Sequence, residues 1–161
     1  MMQRGGPTTV LPGAWISVLR RYLLFIAVAN LAWEVGQLPL YTIWSEGTAG
    51  EIAFAVIHCT GGDLLIGGLS ILVALLLFGN GRWPVERYGV VVAASIVTAV
   101  AATIYSEWRN VEVLGNWTYS EWMPTLPVIG TGLSPLAQWI VIPLAAFWWS
   151  RRARAVGGGD T

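Results

Sequence analysis

Charged side chains are scarce in this 161-residue chain: they make up 11% of the residues, whereas hydrophobic residues make up 55%. A soluble domain usually carries about 25% charged residues, so the shortage argues against a water-soluble fold and indicates a lipid environment. The nine basic residues are balanced by nine acidic ones. Without a basic surplus, the composition gives no support for binding to nucleic acid.

Lysine is absent, and there is only one cysteine, Cys59, and one histidine, His58. A single cysteine excludes an intrachain disulfide. The paired cysteines of zinc modules and the H-E-x-x-H of metalloproteases are missing too, as is the G-x-S-x-G of many hydrolases. Cys59 is therefore expected to be a small packing residue.

What the chain does contain is four long apolar stretches. They span residues 22–44, 52–78, 90–106 and 133–149. A bilayer core of about 30 Å needs roughly 20 helical residues, so each stretch is predicted to be a transmembrane helix. The predicted fold is all-α: one polytopic membrane domain over residues 1–161. Its ends, 1–13 and 155–161, are expected to be flexible.

The arginines predict the orientation of these helices. Eight of the nine fall on one side of the membrane if the chain crosses four times: Arg4, Arg20, Arg21, Arg82, Arg87, Arg151, Arg152 and Arg154. Only Arg109 falls on the other side. Because short arginine-rich loops stay in the cytoplasm, both termini are predicted to be cytoplasmic, in a bacterial inner membrane. Residues 107–132 then form a long, aromatic outer loop.

Local signals predict three further features. The alternating stretch "NVEVLGNWTY" is expected to form a short hairpin that turns around residues 114–116. Ser134 and Pro135 predict the start of the fourth helix, with Ser134 as its N-cap. Pro39 is expected to kink or end the first helix.

Polar residues in the four predicted helices lie at a similar depth, in the half of the membrane that faces outward. Asn30, Glu34 and Gln37 share one helix face, at positions i, i+4 and i+7. An ionisable group in hydrocarbon costs about 2.5–3.5 kcal/mol, so such groups normally face the bundle interior. We therefore predict one shared, outward-facing polar pocket.

Candidate site residues follow from this depth. Glu34, His58 and Asp63 are the candidate catalytic residues, because a histidine beside carboxylates supplies a general acid and base. The candidate ligand-binding residues are Asn30, Gln37, Tyr105, Glu107, Arg109 and Gln138. Other roles stay open: Glu34 and His58 would also serve as an interhelical clamp, and Arg109 would pair with Glu107 or Glu112 or bind a lipid phosphate. The glycines at 61, 62, 67 and 68 are expected to let neighbouring helices approach closely.

Three classes of function are compatible with such a pocket. The first is an intramembrane enzyme that acts on a lipid or isoprenoid by acid–base chemistry. The second is a non-catalytic accessory subunit of a larger membrane complex that binds quinone, haem or lipid. The third, a small transporter, is disfavoured because the other half of the helices offers no polar path. We expect a site that engages an amphiphilic ligand.

Metal-based alternatives have weaker support. A metal site would draw on His58, Glu34, Asp63 and Glu107, but their spacing matches no metal-binding motif. A haem would have His58 as one ligand, with Met123 as the second if the outer loop folds inward. The sequence therefore names no cofactor.

Overall fold

The computed structural model of the chain describes residues 14–156, with side chains for 15–152. It is 77% helical, and no strand occurs in this part of the chain. Of the ends expected to be flexible, residues 1–13 and 157–161 lie outside the described part, while Ala155 and Val156 belong to the last helix.

Within residues 14–156, four long α-helices and one short α-helix make up the fold. They are α1 (Ala14–Gln37), α2 (Ile43–Glu46), α3 (Ala49–Phe78), α4 (Tyr88–Glu107) and α5 (Leu133–Val156). A 3₁₀ turn, Leu38–Leu40, follows α1, and a π-helical stretch, Trp108–Val113, continues α4. All four long helices are long and apolar enough to cross a membrane, which indicates an integral membrane protein.

Helix bounds differ from the sequence expectation in three places. The first helix spans 14–37 rather than 22–44, because Pro39 ends it and the arginine pair lies within its opening turns. The third helix does not stop at residue 106 but continues to Val113, so the hairpin expected around 114–116 is wrong. The fourth helix runs past residue 149 to Val156.

The long helices form an antiparallel ring in which α1 and α4 each pack against both α3 and α5. One end of the ring joins the start of α1, the start of α4 and the end of α5. There, Arg21 lies 5.8 Å from the Trp149 ring, and Arg151 lies 5.2 Å from the Tyr88 ring. We name this the arginine end. The opposite end, where residues 114–132 cross the bundle, is the loop end.

The arginine half of the bundle has an apolar, aromatic core. Its buried members are Tyr22, Ile26, Ile71, Ala99, Trp139, Ile142, Ala146 and Phe147. The rings of Tyr22 and Phe147 lie 4.5 Å apart, and the Tyr88 hydroxyl donates to the Phe147 carbonyl at 2.6 Å. This packing fixes the four helices relative to one another below the polar residues of the other half.

The loop between α4 and α5 is fastened across the loop end. The Thr42 amide donates to the Thr118 carbonyl at 3.0 Å, and the Ser120 amide donates to the Leu40 carbonyl at 2.9 Å. Met123 is buried under this loop, so closely packed on Gly132 that a Cβ there would lie 2.9 Å from its sulfur. The loop thereby holds aromatic side chains against the polar residues.

Candidate functional site

Gln138 is the centre of the polar network, and its side chain is 1% exposed. Its amide nitrogen contacts one oxygen on each of three side chains: Asn30 at 2.7 Å, Asp63 at 2.9 Å and Glu34 at 3.2 Å. These partners come from two other helices, α1 and α3. A residue near the start of α5 therefore joins three helices through buried hydrogen bonds.

Glu34 and Asp63 form a carboxyl pair in this network. Both are 9% exposed, and both contact the Gln138 amide nitrogen, Glu34 at 3.2 Å and Asp63 at 2.9 Å. The two acids therefore lie on either side of one donor, which links α1 and α3 to α5.

A hydrogen-bonded chain supports the pair from the side of α5. The Trp33 indole donates to the Ser134 hydroxyl at 3.1 Å, and Ser134 donates to the side-chain amide oxygen of Gln37 at 2.8 Å. The Gln37 amide then donates to Glu34 at 2.7 Å. Ser134 lies inside α5, and its hydroxyl donates to Gln37 instead of capping the helix, so the expectation that it is the N-cap is wrong.

Glu107 forms a second acidic position at the end of α4, where it is 7% exposed. The Tyr119 hydroxyl donates to Glu107 and accepts the Gly132 amide at 3.0 Å. Burial raises the pKa of Tyr119, and the hydrogen bond to Glu107 raises it further. Burial likewise raises the pKa of neighbouring Tyr41. Both phenols therefore stay protonated near neutral pH and act as donors.

These groups surround a cavity of about 300 Å³ between α3, α4 and the start of α5. This volume lies at the lower end of the range of ligand pockets, about 300–1,000 Å³. Its polar lining residues are Glu34, Gln37, Tyr41, His58, Cys59, Asp63, Thr103, Ser106, Glu107, Arg109, Asn110, Asn116, Trp117 and Gln138. All three buried carboxyl groups face one cavity.

One lining group has no protein partner among the described residues. The Thr103 hydroxyl is buried without a hydrogen bond. Thr103 as a whole is only 4% exposed. Leaving a buried polar group unsatisfied costs about 1–3 kcal/mol, so a polar group inside the cavity would stabilise the site.

The mouth of the cavity lies between α3 and the end of α4. His58, Arg109 and Asn116 line it and are exposed. Apolar side chains flank it on the outer surface of both helices, with Phe54 68% exposed and Tyr105 60% exposed. A polar interior thus opens on to a surface whose chemistry matches hydrocarbon and the membrane interface.

His58 lines the cavity, as expected, but Tyr105 does not. His58 is exposed, stacks on Phe54 with ring centroids 5.4 Å apart and makes no hydrogen bond to the described residues, so the clamp with Glu34 is wrong. Tyr105 packs against Trp108 and does not line the cavity. Helix periodicity places Tyr105 on the exposed outer face, because it lies two residues before inward-facing Glu107.

The other expected site residues are brought together. Glu34, Asp63, Gln37, Glu107, Arg109 and Gln138 line the cavity, while Asn30 lies behind Gln138 in the same network. In the described part, Arg109 forms no ion pair with Glu107 or Glu112. Its guanidinium remains at the mouth.

The metal-based alternatives do not fit the geometry. Within residues 14–156, no three His, Cys, Asp or Glu side chains are placed to hold one metal ion, so His58, Glu34, Asp63 and Glu107 do not form a set. Met123 does not line the cavity to which His58 belongs, so the two do not form a pair of haem ligands.

Sequence reasoning missed the contribution of the loop. Tyr41 and Trp117 line the cavity, and Tyr119 contacts Glu107. All three lie in chain that has no helical periodicity, so no spacing rule predicts their direction. Thr103 was detectable: it lies four residues before Glu107 on α4, which places both on one face.

The glycines of α3 differ in role. A Cβ on Gly67 would lie 3.0 Å from an Ile26 methyl and 3.3 Å from the Trp139 ring, so close approach requires glycine there. Added Cβ atoms at Gly61, Gly62 and Gly68 would meet nothing within 4 Å, and the expectation of close approach is wrong for them. Gly62 lines the cavity and leaves it open.

No family model, no curated protein and no solved structure matches the chain. The functional conclusion therefore rests on the geometry of the site.

Proposed function

We propose that the protein binds the polar head of a membrane amphiphile, such as a lipid or isoprenoid, in the cavity at the loop end. The observation that carries the proposal is a cavity of about 300 Å³ lined by three buried carboxyl groups, whose mouth lies between apolar, exposed helix faces. A water-soluble ligand would gain nothing from those faces, whereas an amphiphile fills the cavity with its head and covers them with its chain.

The proposal includes an orientation in the membrane. Both termini lie in the cytoplasm of a bacterium and the cavity opens to the outer leaflet of the inner membrane, because the arginines gather at the opposite end. In a Cys59→Ala background, cysteines replacing Gly47 or Asn116 should react with an impermeant thiol reagent in intact cells. Replacement of Gly81 should give no labelling, and labelling there would reverse the orientation.

Two glycines of α3 provide a matched test of binding. Gly62 lines the cavity and Gly61 does not, while a Cβ at either position meets nothing within 4 Å. Native mass spectrometry of detergent-purified protein should find an amphiphile on the wild type and on Gly61→Leu. Gly62→Leu should lack it, because the leucine side chain occupies the cavity. Equal retention by the two variants would refute the proposal.

Acid–base conversion of the bound head group is a second candidate function. It is favoured by Glu34 and Asp63, two buried acids that line the cavity, because a carboxyl group can act as a general acid or base. His58 lies at the mouth of the cavity, and its imidazole has one nitrogen that donates and one that accepts. His58→Gln should keep the unfolding temperature but abolish chemical change of the amphiphile if His58 transfers a proton. Unchanged turnover would leave binding alone, the role of an accessory subunit.

A further inference from the structure

The hydrogen-bonding capacity of the cavity is strongly biased towards acceptors. Three carboxyl groups, on Glu34, Asp63 and Glu107, offer roughly four acceptor positions each. The Gln138 amide has two hydrogens for three oxygens, and the Gln37 amide supports only Glu34. The Tyr119 hydroxyl donates one hydrogen bond to Glu107. Protein donors therefore occupy only part of the capacity, and a head group that fits must bring donors of its own.

The charges of the cavity are arranged in two layers. Among the described side chains, the buried polar groups include three acids but no arginine and no histidine. Arg109 and His58 lie at the mouth, where both are exposed. Buried charges are normally paired, so the interior favours a cation, while the mouth favours an anion.

The unpartnered Thr103 hydroxyl is an independent sign of a ligand at the inner layer. Thr103 is 4% exposed and lines the cavity, and no described group forms a hydrogen bond with its hydroxyl. Thr103 and Glu107 lie one turn apart on α4. A donor placed between α3 and α4 would reach the hydroxyl oxygen and a carboxylate together.

From these observations we propose that the ligand is an aminophospholipid, whose N–H-bearing ammonium group lies in the acidic interior beside Thr103 and Glu107 and whose phosphate lies at Arg109. Arginine binds phosphate through a planar fork of donors. This inference rests on the proposed function and specifies the class of its ligand. No covalent step is involved.

Three dioleoyl phospholipids separate the requirements of the site. Phosphatidylethanolamine has both an N–H-bearing ammonium and a phosphate, phosphatidylcholine keeps the charge but has no N–H, and phosphatidylglycerol has hydroxyl donors but no cation. Titration of each into delipidated protein, followed by native mass spectrometry, should show phosphatidylethanolamine binding about tenfold more tightly than the other two, the loss expected for charge-assisted hydrogen bonds. If phosphatidylethanolamine does not bind more tightly than both of the other lipids, the inference is wrong.

Variants assign the two charges to their layers. Glu107→Gln should narrow the preference for phosphatidylethanolamine over phosphatidylcholine, and Thr103→Val, nearly the same shape, tests the same layer if Glu107→Gln does not fold. Arg109→Gln should weaken phosphatidylethanolamine but not dodecylamine, which has no phosphate. An unchanged preference in both inner-layer variants, or unchanged affinity in Arg109→Gln, would contradict the assignment.

Failure of this inference differs from failure of the proposed function. If Gly62→Leu abolishes binding of all three lipids while Gly61→Leu does not, the cavity is a lipid site whatever its head-group preference. If Gly62→Leu changes nothing for any of them, the proposed function fails as well.

Discussion

The same four helices form two different interiors. Towards the arginine end they pack Tyr22, Ile26 and Phe147 into a dry core, whereas towards the loop end they surround a cavity with Glu34, Asp63 and Glu107. In the first half apolar and aromatic side chains fill the interior; in the second, polar side chains line an open cavity. The comparison assigns stability to one half of the bundle and ligand recognition to the other.

Removal of packing from the arginine half should have the largest effect on stability. Phe147 is 2% exposed and contacts the Tyr22 ring. Phe147→Ala should lower the free energy of unfolding by about 3 kcal/mol or more, as aromatic-to-alanine changes in cores do. The fraction that stays folded should keep its co-purified amphiphile. Loss of the amphiphile from folded Phe147→Ala would show that the two halves are not independent.

Removal of Gln138 should affect both properties. Gln138→Leu is similar in size but takes away the donor to Asn30, Glu34 and Asp63, and it should reduce the free energy of unfolding by about 2–3 kcal/mol. It should also abolish retention of the amphiphile. Denaturant titration in detergent, with native mass spectrometry of the same sample, measures both; a variant that is destabilised but retains its amphiphile would contradict the role of the network in binding.

Two glycines of α3 should differ in their effect on stability, by less than the changes above. Gly67→Ala should destabilise by about 1–2 kcal/mol, because the new methyl meets Ile26 and Trp139. Gly62→Ala meets nothing within 4 Å and should be neutral or stabilising by up to about 1 kcal/mol, through helix propensity. The unfolding temperatures of the two variants test this. Equal temperatures would show that α3 does not pack closely against α1 and α5 at Gly67.

The smallest effect is expected at the exposed turn before α4. Arg82 contacts Glu86 at 2.6 Å, and this hydrogen bond holds the pKa of Glu86 below its usual range. A lowered carboxyl pKa contributes stability above the ordinary glutamate pKa of about 4.3, and the contribution is lost as pH falls through the lowered pKa. Arg82→Gln should leave the unfolding temperature at pH 7 almost unchanged, because exposed pairs contribute little. A large decrease would show that the turn helps to hold the bundle.

The sequence predicted the half of the site that lies on helices, and the reason is periodicity. Asn30, Glu34 and Gln37 share a face whatever surrounds them, and the cost of a charge in lipid turns that face inward. His58 shows the limit of the argument. An imidazole at a helix surface can stack on Phe54 beside the cavity mouth, so chemical type alone did not fix its direction.

The loop shows a second limit. Tyr119 reaches Glu107 because backbone bonds from residues 40 and 42 fasten the loop across the bundle, and such pairings between distant segments leave no periodic pattern in the sequence. From the sequence, the two halves of the bundle differ only in the depth of their polar residues, whereas the cavity at the loop end depends on side-chain packing.

Cys59, the only cysteine, lines the cavity and allows its occupation to be measured directly. The rate at which N-ethylmaleimide alkylates Cys59 in delipidated protein should fall as phosphatidylethanolamine is titrated in, because the bound head group covers the thiol. A cysteine replacing Gly61 in a Cys59→Ala background, on the exposed face, should react at a constant rate throughout. If the lipid binds while Cys59 reacts as fast as before, the amphiphile is not in the cavity and the account is wrong.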